Sequence, residues 1–288
     1  MMFDKIISEA VEASKQNTRI QEGDYKNEEG LWMCGKCNTP KQGRYVVPFG
    51  TGIVEPFFDC DCERERKEKE EALIRAAKEK AERMERIAKL RVNGIHDENI
   101  RTWTFENADE TKNPELLKKA RKYFEQWDEM YENNIGLLLF GNVGTGKTYG
   151  AACIANALID IGIPVLMTKF TKILKDLTGF SVDNKNEYIR SLNNYELLVI
   201  DDLGVERESD FALEQVFDVI DSRYMNGQPL IVTTNLSIED LRNPKDMKYK
   251  RIYDRVLEMT IPVKVDGVSL REQNHRDKIK LARQLLAD

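Results

Sequence analysis

Three runs of apolar residues, each about the length of one strand, lie between residues 137 and 232: Leu137–Phe140, Leu197–Ile200 and Leu230–Val232. Every position in them is apolar, which is typical of central strands in a parallel sheet that helices cover on both faces. An apolar, alanine-rich segment from Ala151 to Ile159 follows the first run and predicts a buried helix. Strands that alternate with helices predict an α/β fold whose strands end at one common edge of the sheet.

A long charged segment precedes this region. Residues Glu63 to Leu90 are dense in Glu, Lys, Arg and Ala and lack proline and glycine, which predicts one long polar helix ending near Gly94. Its apolar residues recur at spacings of three and four: Leu73, Ile74, Ala77, Ala81, Met84, Ile87 and Ala88. Such a narrow stripe suits either a solvated spacer helix or a surface that packs on a partner. Near the start of the chain, Phe3 to Ala13 predicts a short amphipathic helix.

A glycine-rich loop lies between the first apolar run and the alanine-rich helix. It comprises Gly141, Asn142, Val143, Gly144, Thr145, Gly146, Lys147 and Thr148, and Tyr149 follows it. Glycines allow positive φ and a close approach of the backbone to phosphate, and the N–H groups of the new helix face the anion. Lys147 is expected to neutralise the β- and γ-phosphates, and the Thr148 hydroxyl to coordinate Mg²⁺. The loop therefore predicts a binding site for ATP with Mg²⁺.

Polar residues follow the other two apolar runs. Asp201 and Asp202 come directly after Ile200, where a strand beside the phosphate loop would end. Asp201 is predicted to hold Mg²⁺ and Asp202 to polarise the attacking water, although two acids can also simply end a strand. Many enzymes of this kind carry glutamate at the second position, so the shorter aspartate suggests slow ATP hydrolysis. Asn235, after the third run, is a candidate γ-phosphate sensor or an ordinary turn residue.

Two arginines near the end of this region share one helical face. Arg251 and Arg255 are spaced i, i+4. They suit contact with a triphosphate in a neighbouring chain, or ion pairs with Asp254 or Glu258 on a solvated helix.

Four of the five cysteines lie near the start of the chain, as Cys34 and Cys37 followed by Cys60 and Cys62. Two thiolate pairs brought together across a loop suit a tetrahedral Zn²⁺ site, which would stabilise a segment too small for its own core. Short strands at Tyr45–Val47 and Pro56–Phe58, among turn residues, predict a small zinc-ribbon-like module. Disulfides and a redox pair are the alternatives. Because no signal peptide or membrane-length apolar span is visible, a reducing cytoplasm and zinc are the expectation.

Length and composition fit two unequal parts. The chain has 288 residues, 41% of them hydrophobic and 33% charged, with a net charge of −6. We expect an N-terminal helix and zinc module at 1–62, a charged helical linker at 63–93, and one large α/β core at 94–288. Basic and acidic residues are roughly matched before residue 92, so the zinc module is expected to bind a protein partner and not nucleic acid.

The motifs and their order resemble an AAA+ ATPase, and more narrowly the DnaC-like helicase loaders and their IstB relatives. Besides the phosphate loop, the matching segments are Ile200–Gly204, Asp221–Tyr224, Thr233–Leu236 and Arg251 with Arg255. The resemblance implies a P-loop NTPase fold and ATP hydrolysis that depends on self-association through the ATP site. It also implies that Arg255 is the arginine finger, that Arg251 supports it, and that Arg271 is a second sensor. Leu270 departs from the pattern, because many relatives carry an aromatic residue there.

The resemblance further implies partners. The N-terminal region would hold the replicative DNA helicase, which the protein would deliver to single-stranded DNA during replication. The segment from Lys169 to Glu196 would face that DNA, with Phe170 stacking on bases and with Lys169, Lys172 and Lys175 neutralising phosphates. The same spacing also suits an ordinary amphipathic helix. The alternative functions are an IstB-like ATPase that assists a transposase, and a weakly hydrolysing ATP-gated adaptor.

Overall fold

The computed structural model describes residues 20–46, 52–178, 182–204, 210–244 and 246–286. The chain divides into two compact units, and the boundary between them falls between Glu82 and Arg83. The helix predicted at Phe3–Ala13 lies outside the described residues.

The first unit contains two small antiparallel sheets and most of a long helix. Its elements are β1 (Tyr25–Lys26), β2 (Trp32–Met33), β3 (Tyr45–Val46), β4 (Ile53–Val54) and helix α1 (Asp61–Gly94), which continues into the second unit. Strand β1 pairs with β2, and β3 pairs with β4. The strand predicted at Pro56–Phe58 is wrong, because the partner of β3 is β4 and Phe57 forms only an isolated bridge with Gln42. Proline lacks the N–H that a ladder requires, which favours pairing upstream of Pro56. The predicted long charged helix is confirmed.

The second unit is a parallel sheet with helices. After α1 come α2 (Glu98–Arg101), α3 (Pro114–Glu125), α4 (Trp127–Glu132), β5 (Gly136–Phe140), α5 (Lys147–Asp160), β6 (Val165–Lys169), α6 (Phe170–Leu177), α7 (Val182–Ser191), a 3₁₀ turn (Leu192–Asn194), β7 (Leu197–Leu203), α8 (Asp210–Met225), β8 (Leu230–Thr234), α9 (Ile238–Arg242), α10 (Met247–Met259), β9 (Thr260–Lys264) and α11 (Leu270–Leu285). The strands lie in the order β6-β7-β8-β5-β9, and all pairs are parallel. The predicted fold class is confirmed.

Burial on both faces explains why the three predicted strands are apolar throughout. Leu137 and Leu139 of β5 pack with α3 and α5 on one face. Leu138 packs with α6, α8 and α10 on the other. Because successive side chains in a strand point to opposite faces, both sets of positions must be apolar. The polar residues at the strand ends are thereby left together at the carboxyl edge of the sheet.

Candidate functional site

The loop between β5 and α5 has a backbone that requires glycine. Gly141, Gly144 and Gly146 have φ of 137°, 83° and 94°, in a region that other residues rarely adopt. A Cβ added to Gly144 would lie 2.3 Å from Oγ of Ser269. Helix α5 begins immediately after the loop, so its unpaired N–H groups and its positive end face the space that the loop encloses. This is the geometry that binds phosphate groups.

The side chain of Lys147, the first residue of α5, folds back against the carbonyl groups of this loop. Its Nζ donates hydrogen bonds to the carbonyl oxygens of Gly141 (2.8 Å) and Asn142 (2.7 Å) and to Oδ1 of Asn235 (2.8 Å). The residue is only 6% exposed. Burial lowers the pKa of its ammonium group, while the carboxylates of Asp202 and Asp201 oppose that shift. Lys147 and Asn235, both predicted site residues, are therefore in direct contact.

Asp201 connects the loop to the neighbouring strands. Its Oδ1 accepts a hydrogen bond of 2.8 Å from the hydroxyl of Thr148 and another of 2.7 Å from that of Thr233. The Thr233 hydroxyl also accepts a hydrogen bond of 3.0 Å from the main-chain N–H of Asp202. Asp202 has φ of 61°, beside an irregularity in the pairing of β7 with β8. The role of Thr233 was not predicted from the sequence, although its position at the end of an apolar strand, one residue before Thr234, is a usable signal.

Lys169 is a further site residue, for which the sequence predicted only a contact with DNA phosphates. Its Nζ lies 3.1 Å from Oδ2 of Asp202 and 3.5 Å from Oδ2 of Asp201. Burial lowers the pKa of this lysine, but the hydrogen bond to Asp202 and the charge of Asp201 outweigh it, and the pKa is raised. The structure thus places Lys169 at the carboxylate pair.

A cleft of about 400 Å³ opens beside the loop. Its lining residues are Trp103, Val143, Gly144, Gly146, Lys147, Thr148, Tyr149, Asp202, Asn235, Leu270 and Arg271. Arg271 reaches it from the first turn of α11 and is close enough to Lys147 to lower the pKa of that lysine. The rings of Trp103 and Tyr149 lie 5.4 Å apart, centroid to centroid, on another side. Trp103 was not predicted, because nothing in its local sequence links it to a loop 40 residues away.

Arg251 and Arg255 lie on α10 and do not line this cleft. The guanidinium of Arg255 forms ion pairs of 3.3 Å with both Asp221 and Glu258 and lies 4.0 Å from the ring centroid of Tyr224. The guanidinium of Arg251 lies 4.7 Å from the ring centroid of Phe217. Of the two ion pairs considered as the alternative to a contact with a neighbouring chain, the structure contains the one with Glu258. Within the described residues, no ion pair joins either arginine to Asp254.

Helix α6 shows that one sequence-based interpretation is wrong. Phe170, expected to stack on bases, is 1% exposed and packs in the core with Ile173 and Leu177. Lys172 and Lys175 are exposed on the other side of the helix. The spacing therefore reflects an ordinary amphipathic helix, with Phe170 on its buried face.

Comparison with known proteins identifies the family. The family described as IstB-like ATP-binding protein matches residues 66–278, which is most of the chain. The chain belongs to this IstB-like ATP-binding family. The predicted resemblance is confirmed, and the family assignment shows that the second unit is an ATP-binding domain.

Individual similar proteins align with a smaller part of this chain than the family model does. The replicative helicase loader DnaC of Escherichia coli is 33% identical over 144 residues, which are 49% of this chain and 56% of the loader. An ATP-binding protein of an insertion sequence in Mycobacterium tuberculosis is 27% identical over 173 residues, which are 58% of this chain and 68% of that protein. The crystal structure of DnaI has a TM-score of 0.50 at 24% identity, over 60% of this chain and 93% of DnaI, which shows a shared fold.

A cluster of four cysteines precedes the residues that match the IstB-like family. The Sγ atoms of Cys34, Cys37, Cys60 and Cys62 all lie within 4.8 Å of one another. Sγ of Cys62 lies 3.6 Å from that of Cys34 and 3.4 Å from that of Cys60, and none of the four is in a disulfide. Sulfur atoms that surround a zinc ion tetrahedrally at about 2.3 Å lie roughly 3.8 Å apart. The four thiols therefore fit a Zn²⁺ ion.

Asp24 stabilises the backbone around the first cysteine pair. Its carboxylate accepts a hydrogen bond of 3.0 Å from the N–H of Gly35 and forms an ion pair of 2.5 Å with Lys41. Burial raises the pKa of Asp24, but these hydrogen bonds outweigh it and lower the pKa to about 2. A Cβ added to Gly35 would lie 2.0 Å from the carbonyl oxygen of Gly23. Only glycine fits between the two cysteines at that position.

The thiols differ in how easily they ionise. Main-chain N–H groups of Cys37 and Lys36 lower the pKa of Cys34, and hydrogen bonds from Thr39 and the main chain of Cys62 lower that of Cys37 to about 6. Burial raises the pKa of Cys60, and the neighbouring thiols raise that of Cys62 to about 12. Four thiolates so close together repel one another unless a cation such as Zn²⁺ lies between them.

None of the helices in the described parts of the chain combines the length and hydrophobicity that crossing a lipid bilayer requires.

Proposed function

We propose that this protein is an ATP-dependent loader that binds a replicative DNA helicase and delivers it to single-stranded DNA during replication. The observation that carries the proposal is the convergence of Lys147, Thr148, Asp201 and Asn235 on one phosphate-binding loop. The relation to the DnaC loader of Escherichia coli supports the choice of helicase as partner. Because the match spans only about half of that loader, the partner and the substrate are proposals.

Each residue of the proposed ATP site would have a separate role in binding or hydrolysing the nucleotide. Lys147 would hold the β- and γ-phosphates, and Thr148 and Asp201, whose oxygens are already in contact, would hold Mg²⁺. Asp202 would orient the attacking water, and Asn235, in contact with Lys147, would report the presence of the γ-phosphate. Trp103, Tyr149 and Arg271 line the same cleft and would contact the rest of the nucleotide. Bound Mg²⁺ would supply the positive charge that the developing negative charge on the phosphates requires.

Self-association would complete this site. Arg255 lies outside the cleft of its own chain, so it could act on a triphosphate only in a neighbouring copy. Arg251, one helical turn earlier, would support it. Hydrolysis is therefore proposed to be slow in the monomer and faster in the assembly.

The N-terminal module is proposed to hold Zn²⁺ through Cys34, Cys37, Cys60 and Cys62 and to bind the helicase. We retain the division into a zinc module at 1–62, a helical linker at 63–93 and an ATPase domain at 94–288. In this division the module selects the partner, and the ATPase domain controls when the partner is released.

Co-purification with the host replicative helicase tests the function. Tagged wild-type protein should capture the helicase when ATP and Mg²⁺ are present. Cys34→Ser should abolish capture because it removes a zinc ligand, whereas Lys147→Ala should retain capture and lose only the response to ATP. Zinc-depleted protein that binds the helicase as well as the wild type would contradict the proposed role of the module.

A second candidate function is assistance to a transposase. The similarity to the insertion-sequence protein of Mycobacterium tuberculosis favours it, since that protein aligns over a larger share of its length. If the protein captured no helicase but bound duplex DNA in an ATP-dependent manner, this function would replace the loader.

A further inference from the structure

Lys169 is placed at the carboxylate pair by the register of the sheet. It is the last residue of β6, and the parallel pairing of β6 with β7 sets Lys169 directly beside Asp201. Its ammonium group lies 3.1 Å from Oδ2 of Asp202 and 3.5 Å from Oδ2 of Asp201. One cation therefore bridges both carboxylates.

The other oxygen of Asp201 is already in use. Its Oδ1 accepts hydrogen bonds from Thr148 and Thr233, so Oδ2 is the oxygen that faces Lys169. The second lysine of the site, Lys147, is directed instead at two carbonyl groups and Asn235. Lys169 is consequently the group that compensates the charge of the Asp201 and Asp202 side chains by direct contact.

Exposure shows which member of this bridge is able to move. The side chain of Asp201 is 4% exposed, whereas those of Asp202 and Lys169 are 38% and 52% exposed. The lysine can therefore swing into water at little cost, while Asp201 remains fixed by its hydroxyl partners.

We propose that Lys169 acts as a removable counter-ion, which neutralises Asp201 and Asp202 when no metal is bound and leaves them when Mg²⁺ binds with ATP. This inference rests on the proposed ATP site. An ammonium group within about 4 Å of a carboxylate competes electrostatically with a divalent cation for the same oxygens. The presence of Lys169 should therefore raise the Mg²⁺ concentration at which ATP binds tightly.

The test is a Mg²⁺ titration of nucleotide binding to the full chain. Binding of a fluorescent ATP analogue is measured while free Mg²⁺ is varied, starting from excess chelator. Lys169→Met should lower the Mg²⁺ midpoint by about two- to fivefold, the range expected for loss of a partly exposed ion pair. Lys169→Gln provides a second neutral substitution, and thermal melting in the chelator checks that each variant is folded.

Two charge controls are available on the same segment. Lys169→Arg keeps a cation beside the carboxylates and should keep a midpoint close to that of the wild type. Lys172→Met removes an exposed lysine from the first turn of α6. It should also leave the midpoint unchanged, because the proposed effect requires a cation in contact with the carboxylates and not merely a positive charge nearby.

The outcomes separate this inference from the function on which it rests. If the wild type binds the analogue in a Lys147-dependent manner, but both neutral variants at Lys169 have the wild-type midpoint or a higher one, the counter-ion role is wrong and the ATP site stands. If the wild type binds no nucleotide at any Mg²⁺ concentration, both the ATP site and the role of Lys169 are wrong.

Discussion

The hydroxyl of Thr233 forms hydrogen bonds with two acidic residues, Asp201 and Asp202. It donates to Oδ1 of Asp201 and accepts from the N–H of Asp202, and its side chain is fully buried. A buried polar group that loses its partner costs free energy, because water cannot replace the missing hydrogen bond. Thr233 therefore fixes the carboxylate that is proposed to hold Mg²⁺.

Thr233→Val keeps the shape of the side chain and removes the hydroxyl. We expect the free energy of unfolding of the ATP-binding domain to fall by about 1–3 kcal/mol, because the N–H of Asp202 and one carboxylate oxygen lose a partner. Urea unfolding followed by tryptophan fluorescence measures the change, and Thr233→Ser, which retains the hydroxyl, is the control. Equal stability of the valine variant and the wild type would show that the hydrogen bonds contribute little.

At the scale of elements, the sequence was most informative where local patterns decide the structure. The apolar runs predicted β5, β7 and β8, and the alanine-rich segment Ala151–Ile159 predicted the body of α5, which begins earlier, at Lys147. What it could not predict depends on pairing between distant segments. The contact of Lys169 with Asp201 follows from the register of β6 against β7, and the contribution of Trp103 follows from packing on α5.

The turn between Cys34 and Cys37 is a local element that admits only glycine at Gly35. Gly35→Ala should weaken zinc binding by about tenfold or more, because the added methyl group collides with the carbonyl of Gly23 and displaces a ligand. Competition with a chromogenic chelator measures the affinity. Gly52→Ala is the matched control, since no atom lies within 4 Å of the position of its added Cβ. Similar zinc affinities for the two alanine variants would contradict the steric argument.

At the scale of the whole molecule, the arginines of α10 belong to a surface apart from the cleft. Arg255 is held by Asp221, Glu258 and Tyr224 within its own chain. To reach a neighbouring triphosphate it would have to exchange these contacts for contacts with phosphate. Partly exposed ion pairs are individually weak, so such an exchange is feasible.

Mixing two inactive variants tests the composite site. Lys147→Ala loses the phosphate contact but keeps Arg255, whereas Arg255→Ala loses the finger but keeps the loop. Each alone should hydrolyse ATP poorly, and an equimolar mixture should regain part of the wild-type activity per chain, because some interfaces then combine an intact loop with an intact arginine. Steady-state phosphate release measures the recovery. A mixture no more active than the average of its components would contradict the shared site.

The left-handed backbone of Asp202 also limits how this position can evolve. Asparagine, aspartate and glycine tolerate a φ of 61° better than longer side chains do. Replacing Asp202 by glutamate would therefore cost free energy in the main chain, whatever its effect on the chemistry of the site. We therefore expect related proteins with the same irregularity in β7 to carry aspartate at this position. Related proteins with glutamate there are expected to have a regular strand.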